Sequence, residues 1–170
     1  MQIRVLQVDD APAFQLIRLR GLEECPSAFA SSYEEECNTP MGVVAERLAA
    51  KEDRAMFGAF EEQQLVGVVG LQREQMLKLA HKAFIWGMYV EPRARKRGVG
   101  RQVITQALGY ASKELQVRQV NLGVNANNIA AIALYKSLGF EQYGFERGFL
   151  LLNGELHDEI QMVHFLQPDA

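Results

Sequence analysis

Eight mostly apolar residues, Ala83 to Val90, run straight into Glu91-Pro92-Arg93-Ala94-Arg95-Lys96-Arg97-Gly98-Val99-Gly100-Arg101. An amphipathic stretch follows from Val103 to Leu115. An apolar run of that length, stopped by a polar turn, predicts a buried strand. Val103, Ala107, Ala111 and Leu115 recur every fourth residue, with Ile104 and Leu108 beside them, which predicts a helix with one stripe against a sheet. The next apolar run, Val117 to Val124, predicts a strand parallel to the first, because a helical crossover returns the chain in the same direction. The start of a helix carries unpaired N–H groups and a partial positive charge. Glycines at 98 and 100 let a ligand reach those groups, and Arg95, Lys96, Arg97 and Arg101 surround them with full charges. The residues point to a pocket for a diphosphate. The turn is neither a Walker loop nor a dinucleotide fingerprint: G-x-x-x-x-G-K-[ST] is absent and no third glycine stands at the required spacing. It also comes after several strands, where a dinucleotide fold would place it first.

The rest of the chain predicts one mixed α/β domain over residues 1–170. Ile3–Val8 is a short β-type run. Asp10 is placed to cap a helix that carries Pro12 in its first turn and Phe14, Ile17 and Leu22 on one side. Residues 24–39 have no clean period and predict a loop or short helical turns before Pro40, and Val43–Lys51 predicts a second helix. Ala55–Phe60 and Leu65–Leu71 predict a hairpin across Glu61-Glu62-Gln63-Gln64. Asn125-Ala-Asn-Asn128 precedes a helical run to Leu138, with Gly139 as its left-handed terminator. Asn153-Gly154 between two β-type runs (140–152 and 155–166) is a strong hairpin signal.

Composition narrows the function classes. A net charge of −3 argues against a general nucleic-acid binder, since the positive charge is gathered between Arg93 and Arg101. No apolar run approaches the roughly 20 residues of a membrane span. The first residues lack the long apolar segment of a signal peptide. Cys25 and Cys37 have no metal-ligand spacing and read as reduced cysteines, which predicts a cytoplasmic protein with no metal.

Two motifs then converge. Arg95-Lys-Arg-Gly98-Val-Gly100 matches the pattern [Q/R]-x-x-G-x-[G/A]. Asn128-Ile-Ala-Ala131-Ile-Ala-Leu134-Tyr135-Lys-Ser-Leu-Gly139-Phe140 matches N-x-x-A-x-x-L-Y-x-x-x-G-F in full. In this order, one helix and one strand apart, they resemble the GNAT family of N-acetyltransferases. The resemblance implies a mixed, mostly antiparallel central sheet of six to seven strands with about four helices, in the order β-α-α-β-β-β-α-β-α-β-β. It implies acetyl-coenzyme A as cofactor, with its pyrophosphate on Arg95, Lys96, Arg97, Gly98, Val99, Gly100 and Arg101. Its pantetheine arm would lie along the backbone of Met88, Tyr89 and Val90, beside a bulge at Gly87. Asn128, Ala131 and Tyr135 would line that arm on the helical side.

The implied reaction moves acetyl to a primary amine, of a small molecule or a protein, by direct attack in a ternary complex. Tyr135 is the candidate proton donor to the departing thiolate, and N–H groups near Met88 the candidate stabilisers of the developing oxyanion. Phe29, Tyr33 and Glu35 are candidates for the acceptor pocket. Glu34, Glu35, Glu36, Glu91, His81, His157 and Asp158 all remain open as the base. The rival reading is a non-catalytic sensor of acetyl-coenzyme A or another nucleotide. A small nucleic-acid binder using the 93–101 run is a third reading. The sequence leaves a homodimer open.

Overall fold

Strands β2 (Arg54–Glu61) and β3 (Gln64–Arg73) are buried almost end to end, and this sets the layering. A strand buried on both faces needs apolar residues at every position rather than at alternate ones. Ala55, Phe57 and Ala59 face one cluster, while Met56 and Phe60 face another. The first cluster holds α4 (Val99–Lys113) through Val103, Ile104, Ala107 and Ala111. The second holds α1 (Ala11–Glu24) through Phe14, Ile17 and Leu22, and α3 (Met41–Leu48) through Val44 and Leu48. Full burial of residues such as Ile104 and Phe14 contributes roughly 1.5–3 kcal/mol each.

In this computed structural model, which describes residues 1–166, the remaining elements are β1 (Gln2–Val5), the one-turn α2 (Tyr33–Glu36) and β4 (Lys82–Val90), then β5 (Gln119–Asn125), α5 (Ile129–Ser137), β6 (Glu141–Leu152) and β7 (Glu155–Phe165). The sheet has seven strands in the order β1-β2-β3-β4-β5-β7-β6. Every pairing is antiparallel except β4 with β5, the parallel pair expected from the helical crossover. The predicted domain boundary at 170 includes four residues outside the described range.

Two irregularities open the sheet. β4 and β5 pair only where Lys82–Phe84 face Gln119–Asn121, and beyond that they separate. On its other side, β4 places two residues, Gly87 and Met88, opposite the single Val69 of β3, which is a bulge. Gly87 sits at φ +63°, a left-handed conformation that costs a side-chain-bearing residue about 1 kcal/mol or more. The result is a cleft between the C-terminal halves of two central strands, a common place for ligands in sheets with parallel pairs.

Several sequence expectations move. Asp10 immediately precedes α1 but does not cap it with its side chain. Its carboxylate accepts from Arg4 at 2.7 and 2.8 Å and from the Gln7 N–H at 2.7 Å, closing a 3-10 turn over Val8–Asp10 that ends β1 early. Helix α3 runs two to three residues ahead of the predicted Val43–Lys51, because Lys51 turns back to bridge Arg54. Helix α4 begins at Val99, at the glycine turn itself, just ahead of the start expected after Gly100. The hairpin at Asn153-Gly154 forms as expected, with both φ angles positive, 50° and 82°.

Candidate active site

The turn between β4 and α4 is built so that its peptide groups face outward. Lys96 and Gly98 adopt φ of 60° and 80°, and α4 starts at the next residue with no side chain capping it. A Cβ at Gly98 would meet nothing nearer than Gln102 Nε2 at 3.8 Å, so the approach is open. Gly100 does different work. A Cβ there would press at 3.1 Å on both Leu134 and Met88, so this glycine lets α4 start close against α5 and β4. Lys96, Gly98, Val99, Gly100 and Arg101 line one end of a cavity of about 490 Å³.

The charges around the turn separate into three kinds. Arg97 pairs with Glu61 at 3.0 Å, and its side chain does not line the cavity. Arg95 lines the cavity, but its guanidinium is already held by Glu24 at 2.7 Å, by the Val90 carbonyl at 2.8 Å and over the Tyr89 ring. Tyr89 donates its hydroxyl to the same Glu24, and with Arg95 this holds the Glu24 carboxyl below its usual range. Burial, then Glu24, pushes the Tyr89 phenol far up. Lys96 and Arg101 have no ion-pair partner among the described residues, although Arg101 does donate to Ser137 Oγ at 2.7 Å.

From the turn the cavity follows Met88, Tyr89 and Val90 on one side and Asn128, Ala130, Ala131 and Leu134 on the other. Asn128 caps α5, its Oδ1 accepting from the Ala131 N–H at 3.2 Å. Tyr135 lies behind this wall: it is 5% exposed, meets Phe140 edge-on at 5.7 Å, and does not line the cavity. Burial pushes its phenol up to about 12, which keeps it protonated at neutral pH.

A second cavity, of about 340 Å³, opens where β4 and β5 part. Ala28 and Phe29 line both cavities, and Gly87 of the second adjoins Met88 of the first. Asn125 Nδ2 ties this roof to β5 by donating to the Ser27 carbonyl at 3.0 Å. The floor carries Asp158 and Glu159. Asp158 accepts from the Gly148 N–H at 2.8 Å. The Glu159 carboxyl lies flat over Gly123, where a Cβ would come within 2.4 Å, and burial followed by repulsion from Glu146 raises its pKa. Arg18 enters from α1, 6% exposed, donating from Nη2 to Glu36 at 2.9 Å and to Ser31 at 3.0 Å. Its guanidinium lies 4.9 Å from the Phe29 ring centroid.

The Acetyltransferase (GNAT) family model matches residues 22–140. The chain belongs to this family. Its GNAT fold also has solved counterparts. An acetyltransferase of the family from Streptococcus pneumoniae superimposes with a TM-score of 0.85 at 20% identity, covering 97% of this chain and 99% of that one. Salmonella typhimurium yncA, solved with its cofactor acetyl-CoA, superimposes at 0.81 and 18% identity over 100% and 96%. In sequence, the L-amino acid N-acetyltransferase AaaT of Escherichia coli is 30% identical over 117 residues, 69% of this chain and 72% of that protein. Other curated relatives are matched over 26% to 45% of their own length.

Set on the GNAT scaffold, the acceptor expectations divide. Phe29 lies at the junction of the two cavities. Tyr33 lines a third cavity, of about 430 Å³, beside Asn153 at the hairpin turn. Glu35 lines none of them. Its carboxylate accepts from the N–H and hydroxyl of Ser32 in a capping box for α2. Among the open base candidates, Glu91 is buried against Arg20 and Arg93, and Glu36 against Arg18 and Arg47. Arg18 and Glu159 were not legible as site residues. The available signal for Arg18 was a charge at i+4 from Phe14 and i−4 from Leu22, in the middle of a buried stripe.

Proposed function

We propose that the chain is an acetyl-coenzyme-A-dependent N-acetyltransferase that moves acetyl to a primary amine, with both substrates bound together. The observation that carries this reading is the junction of two unlike cavities. One begins at an uncapped, cationic helix start, the other holds two carboxylates, and they share Ala28 and Phe29 beside the Gly87 bulge. The open approach at Gly98 fits a diphosphate, with Lys96 and Arg101 supplying charge that no carboxylate among the described residues neutralises. The apolar run past Met88, Ala131 and Leu134 fits an uncharged arm. Bound acetyl-coenzyme A supplies a thioester carbonyl, an electrophile for the amine.

The protein's own groups then have defined tasks. Asp158 and Glu159 attract the cationic amine, and Glu159, with its raised carboxyl pKa, accepts a proton from it. N–H groups at the Gly87-Met88 bulge face developing negative charge on the acyl oxygen. Tyr135, kept protonated by burial at the back of α5, is the group assigned to protonate the leaving sulfur. The two cysteines, partly buried and unpaired, support a cytoplasmic location. No helix among the described residues is long and apolar enough to cross a membrane.

Thiol release from acetyl-coenzyme A across a panel of amino acids, polyamines and peptides tests the reading. Release with at least one amine, abolished by Gly98→Asp but reduced less by the isosteric Gly98→Asn, is the expected result. Equal activity of the Asp variant would move the diphosphate elsewhere.

A further inference from the structure

The second cavity is electrically two-sided. On α1, Arg18 Nη1 is buried and has no hydrogen-bond partner among the described residues, although the other terminal nitrogen is fully engaged. Glu36 answers two guanidiniums, Arg18 at 2.9 Å and Arg47 at 3.0 Å, so this corner carries one positive charge in excess. Asp158 and Glu159 make the opposite wall negative. A buried, charged N–H without an acceptor costs stability on the order of 1–3 kcal/mol, and such a donor persists where a ligand completes it. Gly87 lies beside that donor without crowding it: a methyl at this position would stand 3.7 Å from Nη1. Between the two poles lie Phe29, Trp86 and Phe149.

We propose that the acceptor is an apolar α-amino acid, its carboxylate received by Arg18 Nη1 and its ammonium by Glu159. This rests on the acetyltransferase reading above and names the substrate class for the same site. A polyamine would bring a cation to the Arg18 corner, and a peptide N-terminus would bring a neutral amide there. An acceptor with adjacent ammonium and carboxylate sets an opposite charge against each wall. The volume, about 340 Å³, is at the low end for ligand pockets and suits a single amino acid. The ammonium gives one proton to Glu159 and on to solvent. The free amine nitrogen then forms its bond to the acyl carbon as the carbon–sulfur bond breaks. The nitrogen loses a second proton and the sulfur gains one, so the products are an N-acetylamino acid, coenzyme A thiol and one released proton.

The test compares L-phenylalanine with L-phenylalaninamide and phenethylamine, by thiol release and by calorimetry on the full chain saturated with coenzyme A. Wild type is expected to favour phenylalanine by roughly 100-fold in kcat/KM, the size of a buried charge-assisted pair. Arg18→Met should collapse that preference to a few-fold and remove the binding heat for phenylalanine. Arg18→Lys keeps the charge if the methionine variant does not fold, and should restore part of the preference. Equal use of the three compounds by wild type, or binding heat unchanged in the Arg18 variants, overturns the proposal while leaving the acetyltransferase reading intact. Absence of thiol release with every amine and peptide tried overturns that reading itself.

Discussion

Glu36→Gln isolates the device that holds Arg18 in place. Glu36 is 7% exposed and accepts from Arg18 through one oxygen and from Arg47 through the other. Glutamine offers only one acceptor oxygen, and its NH₂ would face one of the guanidiniums. The Arg47 contact is discounted, because that side chain is 37% exposed and screened by water. The Arg18 side is not screened, since it is 7% exposed. Removing one partner of a buried pair costs about 3–5 kcal/mol, and retention of one neutral hydrogen bond brings the expectation to about 3 kcal/mol. For a chain of this size that is a fall in Tm of roughly 6–12 °C, from about 2–4 °C per kcal/mol. Urea unfolding at pH 7 measures it directly. The pH dependence supplies a second check. Burial alone would raise the Glu36 carboxyl, but Arg18, Ser31 and Arg47 outweigh burial, and the net direction is down. A carboxylate lowered in the folded state contributes stability above its unfolded pKa, about 4.3, and loses it as pH falls through the folded value. The gap between wild type and variant should therefore narrow in acid, below about pH 4. A gap under 1 kcal/mol at pH 7, or one that widens in acid, refutes the reasoning.

Tyr135→Phe should lower kcat by about 10²–10⁴, the range of a general acid, while calorimetric affinity for coenzyme A is unchanged; unchanged kcat ends the proposed role. Gly123→Ala places a methyl where the Glu159 carboxyl now lies, so kcat/KM for the amine should fall at least about tenfold with coenzyme A binding intact, as steady-state kinetics will read. Because the Glu159 carboxyl is raised, the acid limb of the kcat/KM profile should lie above the ordinary carboxylate value of about 4.3, and Glu159→Gln should remove that limb.

Much of the cofactor half was legible because its information is local. Gly98, Asn128 and Gly139 each answer a backbone requirement of their immediate neighbours, a left-handed turn, a helix cap and a helix stop. The four-residue stripe on α4 and the Asn153-Gly154 hairpin are local in the same sense. The second cavity was not legible, because its residues are assembled from α1, the 27–31 segment, β4, β5, β6 and β7. Glu35 and Arg97 carried plausible chemistry in the sequence, yet each has another partner, Ser32 in a local capping box and Glu61 at the distant end of β2.

The order of residues by itself determined the sequence of the main strands and helices to within a few residues, that β4 and β5 run parallel, and that a cationic glycine turn opens α4, since propensity, periodicity and capping act over a few neighbouring positions. Only the tertiary structure decided which charges remain unspent. Arg18 and Glu159 are 141 positions apart in the chain. They line one cavity because β4 and β5 separate after three paired residues, and no short-range rule of sequence records that separation.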